Sequence, residues 1–222
     1  MAFADYSLDQ IFQILILPAV WVTLKMVFLA GIFGTILGFI IGIILVITEK
    51  GGLCENVVLH RVLDIIVNVI RSFPFIILMI TIIPFTRLIA GTSIGDTAAL
   101  VPLTVAAAPF IARIIQNAFK EVDPELIEAA KSFGLSKRQI VFRVMFKEAV
   151  PSIVSGLTLA IINLLSCSAM AGAVGAGGLG AVALTYGYQN FNETIMYSIC
   201  AILVVLVAIF QYLGDFLYKK LK

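Results

Sequence analysis

Charge is scarce in this chain: only 13% of its 222 residues are charged, 61% are hydrophobic, and the mean hydropathy is +1.11. A soluble domain of this size needs far more polar surface to cover itself, so the composition points to an integral membrane protein. Metal ligands are equally sparse. His60 is the single histidine, and Cys54, Cys167 and Cys200 stand far apart with no CxxC spacing, so no metal site is expected. Neither HExxH nor GxSxG occurs, which argues against an intramembrane hydrolase, and no Walker A sequence is present to bind ATP. Gly175, Gly177 and Gly180 have the spacing of a dinucleotide fingerprint. They lack the strand-turn-helix setting and the acid about 20 residues further on that such a site requires. The start carries Asp5 and Asp9 where a secretory signal would be basic, and no cleavage is expected.

What the chain has instead is hydrophobic runs. Residues 26–48 carry no charge, and 23 residues of helix reach about 34 Å, enough to cross a bilayer. Five spans are expected, at about 20–48, 65–85, 97–119, 150–170 and 194–214. Trp21 falls near the first boundary, where an indole sits well among lipid headgroups. Gly31, Gly34, Gly38 and Gly42 share one face of the first span, which suits close packing of small residues or a sliding contact. The second span holds Arg71, whose charge at mid-membrane costs ~2.5–3.5 kcal/mol, so it should lie near an interface or face protein. Pro102 and Pro109 should break or bend the third. Asn163 in the fourth must find a partner inside the protein. The glycine-rich stretch 171–180 that follows is expected to be irregular backbone, tolerated at membrane depth only under cover of protein or a water-filled cavity.

One long polar segment, residues 123–151, interrupts the oil. Asp123 is a good N-cap and Pro124 suits the first helical position. Gly134 can take the left-handed conformation that ends a helix, and Ser136 with Gln139 forms a capping box that begins another. Two short helices over about 124–146, joined by a glycine turn, form a compact docking element, with Pro151 available to end the second. Five spans with a cytoplasmic C-terminus leave the N-terminus outside and put 13 of the 15 basic residues on the inner side, Arg71 and Arg113 among them, with only Lys25 and Arg87 outside. The insert is then cytoplasmic.

Glu128-Ala129-Ala130, three further residues and then Gly134, lying between the third and fourth of five spans, resemble the EAA signature of ABC importer permeases. Where the family pattern continues Ile-x-Leu-Pro, this chain reads Val144, Met145, Phe146 and Lys147. Arg71-Ser72-Phe73-Pro74, Ile83-Pro84-Phe85-Thr86-Arg87, Gly91-Thr92-Ser93-Ile94-Gly95, Ala108-Pro109-Phe110-Ile111-Ala112-Arg113 and the glycine run 172–180 look like the permeases of methionine importers over about residues 20–215. The resemblance implies an all-α integral membrane protein, a type I ABC importer permease with five transmembrane helices and a cytoplasmic two-helix coupling insert. It implies a homodimer in the bacterial inner membrane, two cytoplasmic ATPases that bind ATP and Mg, and an extracytoplasmic methionine-binding protein. No cofactor of its own and no nucleic-acid partner are implied, and the chain is then not itself an enzyme. The ATPase would meet Glu128, Ala129, Ala130, Ser132, Gly134, Leu135 and Ser136. Glu128 could alternatively support its own helix through Lys131. Met170, beside Ser166 and Ser168, matches the family's gate position. An autonomous channel or a structural membrane subunit is the competing class, and a sister ABC permease for another small solute the nearer one.

Overall fold

The computed structural model describes residues 8–222, and every regular element in that range is helical. Asp5 lies outside this range, and the Asp9 side chain lies outside the described side chains. The first long helix, α1 (Phe12–Thr48), starts earlier than residue 20. It runs through Pro18 because the hydrogen-bond ladder widens just ahead of the proline, where Leu17 N–H donates to the Phe12 carbonyl five residues back. After a short link, Asn56 accepts from Leu59 N–H and caps α2 (Val57–Ser72).

The second expected span, 65–85, is not one rod. Helix α2 stops at Ser72 because Pro74 forces Phe73 into extended backbone. The chain then turns by 108° into α3 (Phe75–Thr81) and continues as α4 (Ile83–Ala90), which ends on left-handed Gly91. By contrast α5 (Asp96–Lys120) stays a single helix through both Pro102 and Pro109, so of the expected break or bend the break does not occur. Both prolines are buried among neighbouring helices, which hold the chain helical despite the two missing donors.

Helices α1 and α5 lie parallel and pack face to face. A Cβ on Gly34 would meet Ala107 Cβ at 2.7 Å, on Gly38 the Ala108 carbonyl at 2.7 Å, and on Gly42 Ile115 Cβ at 2.7 Å. The glycines therefore let two backbones touch in a fixed register, the packing reading of that stripe. Ion pairs close both ends: Lys25 with Asp96 and Lys120 with Glu49, each at 2.7 Å. Along each helix the paired residues are 24 positions apart, about 36 Å of rise, so the charges sit where a bilayer's two faces would be.

Beyond α5 come α6 (Pro124–Ser132) and α7 (Lys137–Ala176). The second helix of the insert does not end at Pro151. That residue lies inside a continuous helix, so the insert and the following span are one element. The glycine-rich stretch is irregular only around Val174–Gly177: Val174 and Gly175 leave helical geometry and Gly177 has a φ of 83°. The short helix α8 (Gly178–Val182) then folds back onto its neighbours. Gly180 lies against the Ala169 carbonyl with no room for a side chain, and Leu179 N–H donates to Thr23 Oγ1 of α1 at 2.9 Å. Last, α9 (Glu193–Leu221) begins at the Asn192 cap and buries only Ile195, Ile199 and Gly214. Four helices are long and apolar enough to cross a membrane, or five when the bent α2–α3 pair counts as one. The core joins α1, α5 and α7 through Met26, Ala30, Leu103, Ile111, Leu164 and Leu165.

Candidate functional site

Two places in the fold concentrate polar chemistry, and α7 connects them. The first is the insert. Asp123 Oδ1 accepts from Glu125 N–H at 2.9 Å and sets the start of α6. At its other end Leu135 N–H reaches the Ala130 carbonyl at 3.1 Å and Gly134 N–H the Lys131 carbonyl at 2.9 Å, a closed C-terminal cap that requires the positive φ of 73° at Gly134. Ser136 N–H donates to Gln139 Oε1 at 2.8 Å, and Ser136 Oγ accepts from Gln139 N–H at 3.4 Å, the reciprocal pair expected from the sequence. Each turn of the insert is thus fixed by hydrogen bonds within a few residues of itself.

The insert presents one face and anchors the other. Ala130 is buried in the same core cluster as Ile140, Val141 and Met145, so the second alanine of the motif seats the peg. Glu128, Ala129, Ser132, Gly134 and Ser136 are exposed, and Leu135 is half-buried. Ser132 Oγ donates to the Glu128 carbonyl at 3.1 Å. No ion pair joins Glu128 to Lys131 among the described residues, so the carboxylate faces outward without that support. The sequence reading passed over Phe133, whose side chain is 84% exposed at the tip between Ser132 and Gly134. An aromatic ring in a polar turn was the available signal, and large exposed rings are typical anchors at protein interfaces.

The second place is a cavity of about 590 Å³ between α2, α3, α5 and α7. Asn163, Ser166 and Met170 line it at i, i+3 and i+7 of α7, with Phe110 from α5 and Arg71 and Phe75 from the α2–α3 bend. Ser168 is not among its walls: it is buried on the far side of α7 and donates to the Leu165 carbonyl at 2.7 Å. Asn163, expected to bond within the protein, is instead exposed to the cavity. Arg71 lies about 21 Å along α2 from its capped end, which removes it from the basic residues grouped at that end of the bundle.

Between the two places a polar network ties α2 to α5. Arg113 donates to Asp64 Oδ1 at 2.7 Å, to Asn68 Oδ1 at 2.8 Å and to Gln116 Oε1 at 2.6 Å, and Asn68 in turn donates to Asp64 Oδ2 at 3.0 Å. Gln116 is fully buried. The arginine placed at the water by sequence is therefore a helix-helix clamp.

Comparison with known proteins bears on both places. Residues 38–222 match the family described as binding-protein-dependent transport system inner membrane component. The probable D-methionine transport system permease protein of Vibrio cholerae is 50% identical over 206 residues, 93% of this chain and 92% of that protein. The D-methionine transport system permease protein of Escherichia coli strain K12 is 48% identical over 158 residues, 71% of this chain and 73% of that one. Among solved structures, an inward-facing MetNI methionine ABC transporter superimposes with a TM-score of 0.94 at 45% identity, covering 98% of this chain and 100% of the other.

Proposed function

The chain belongs to the binding-protein-dependent transport system inner membrane components, and on that premise we propose that it is the membrane-spanning subunit of an ATP-driven importer for methionine. The observation that carries this is the superposition on a methionine ABC transporter over 98% of the chain, peg and cavity included, at 45% identity. The chain is a permease and holds no nucleotide of its own. ATP and Mg belong to two separate ATPase subunits, and a second copy of the chain completes the path. An extracytoplasmic binding protein delivers methionine. The C-terminus and the α6 peg face the cytoplasm, the N-terminus the other side, as the clustering of Lys120, Lys131, Lys137, Arg138, Lys219 and Lys220 at one end supports.

The geometry accounts for how force would travel. A peg docked in the ATPase through Glu128, Ala129, Ser132 and Phe133 is stiff, because its caps and its glycine turn leave no slack. From Lys137 the chain continues without a break to Met170, about 50 Å of helix, so displacement of the peg becomes displacement of a cavity wall. Helices α1 and α5, locked by small-residue contact and two ion pairs, form the frame against which α7 moves. Alternating access then follows from rocking of α7 and its copy about this frame, with Ser166 and Met170 on the moving face.

Vesicles reconstituted with this chain, its ATPase and its binding protein should accumulate radiolabelled methionine only when ATP and Mg are present on the ATPase side. Uptake that ignores ATP, or ATP-driven uptake of other amino acids with none of methionine, overturns the proposal.

A further inference from the structure

The cavity beside α7 contains a cation that has no partner among the described residues. Arg71 makes no hydrogen bond or ion pair among the described residues, yet it lies about 21 Å along a helix that starts at one membrane face. Its side chain is exposed at the cavity wall, where a basic group within a membrane span is the usual mark of a substrate or ion pathway. None of the described carboxylates forms an ion pair with it. Asp64 is held by Arg113, Asp96 by Lys25 and Glu49 by Lys120, while Glu121 accepts from Ser152 at the end that bears the peg. Arg71 is therefore open to an anion that enters the cavity.

What shares the cavity narrows the class of anion. Asn163 offers an amide and Ser166 a hydroxyl, while Met170, Phe75 and Phe110 supply polarizable and aromatic surface. A volume of about 590 Å³ is ample for a small amino acid. A ligand with a carboxylate at one end and an apolar or thioether chain at the other matches these two kinds of lining. Guanidinium also binds a carboxylate through two parallel N–H donors, which an ammonium cannot do.

We propose that Arg71 is the carboxylate subsite of the translocation path, a specificity residue that receives the α-carboxylate of the transported amino acid while Asn163 and Ser166 face its polar remainder and Met170 its side chain. This deepens the reading of the chain as a methionine permease and rests on it.

The test uses the complete importer in proteoliposomes at saturating loaded binding protein, with uptake and ATP hydrolysis measured together. R71Q should lower methionine uptake tenfold or more while hydrolysis stays within twofold of wild type. R71K, which keeps the charge but not the fork, should retain a measurable fraction of uptake, about a third. Equal methionine moved per ATP in R71Q and wild type overturns the assignment. So does joint loss of uptake and hydrolysis in R71Q with full recovery of both in R71K, since that marks a helix-end charge serving only structure. Should R71Q fail to assemble, N163D decides: a carboxylate on the same wall competes for Arg71 and should reproduce the loss of uptake per ATP, and wild-type coupling in N163D overturns the proposal. An anionic lipid headgroup is the other source of the same chemistry. It predicts that the R71Q deficit disappears in vesicles of phosphatidylcholine alone, whereas a substrate subsite predicts that it persists. A wild-type importer that carries no methionine removes the functional reading and this inference with it; a working wild type with an indifferent R71Q removes this inference alone.

Discussion

The contact between α1 and α5 and the wall that α7 turns toward the cavity are built on opposite terms. Along the first, Gly34, Gly38 and Gly42 bring the backbones together against Ala107, Ala108, Ile111 and Ile115, and each end is closed by an ion pair. Along the second, Asn163, Ser166 and Met170 are exposed to the cavity, and the neighbouring helix pair is bent by 108°. Dense packing has a single low-energy register and resists displacement. An open polar face facing a bent element has several arrangements of similar energy, which is what a moving part needs. The molecule divides in this way into a frame and a working face, with the peg joined to the latter through the peptide backbone itself.

The sharpest way to break that division is Gly38→Leu. A Cβ there lands 2.7 Å from the Ala108 carbonyl and from Ile111 Cβ, and overpacking of this kind costs ~1–3 kcal/mol or more where backbone blocks relaxation. The purified protein should melt many degrees lower or fail to assemble. Gly31→Ala, on the same stripe but 3.7 Å from Leu164, should be tolerated, and equal melting of the two variants would contradict a locked frame. Next in size is Gly134→Val, which forces a β-branched residue into left-handed backbone at a cost of ~1–3 kcal/mol. We predict that assembly of the permease survives while methionine uptake falls more than tenfold, and unchanged uptake with normal assembly would separate the peg from force transmission. Asp64→Asn leaves Arg113 short of its charged partner and should lower stability by ~1–3 kcal/mol in thermal melts, with uptake per ATP retained. Smallest should be Lys25→Met: the Lys25–Asp96 pair is partly exposed, and such pairs contribute ~0.2–1 kcal/mol. A drop as large as that of Gly38→Leu would mean that charge, not small-residue packing, holds the frame.

Much of this was legible from local chemistry. Asp123, Pro124, Gly134, Ser136 and Gln139 each satisfy or permit backbone groups within a few residues of themselves, so the insert's start, turn and restart could be read from order alone. The bend after Ser72 had its cause in the next residues, Phe73 and Pro74, but its size did not. The length of α7 was misjudged for a related reason: Pro151 reads as a stop, yet packed neighbours sustain the helix on both sides of it. Asn163 and Ser168 illustrate the remaining gap. Five residues apart on one helix, they exchange the roles expected of them, the asparagine facing the cavity and the serine the core.

By itself, the sequence determined that this chain lives in a membrane and where a capped polar peg interrupts its apolar runs, because hydropathy and capping act over a few residues at a time. Only the tertiary structure decided which face each helix buries. A helix that is apolar all round carries no directional signal, so the choice falls to the fit of glycine against alanine and isoleucine across α1 and α5, and to the ion pairs at their ends. That fit leaves Asn163, Ser166 and Met170 facing Arg71, a meeting of residues about 100 positions apart that no local rule of helix formation contains.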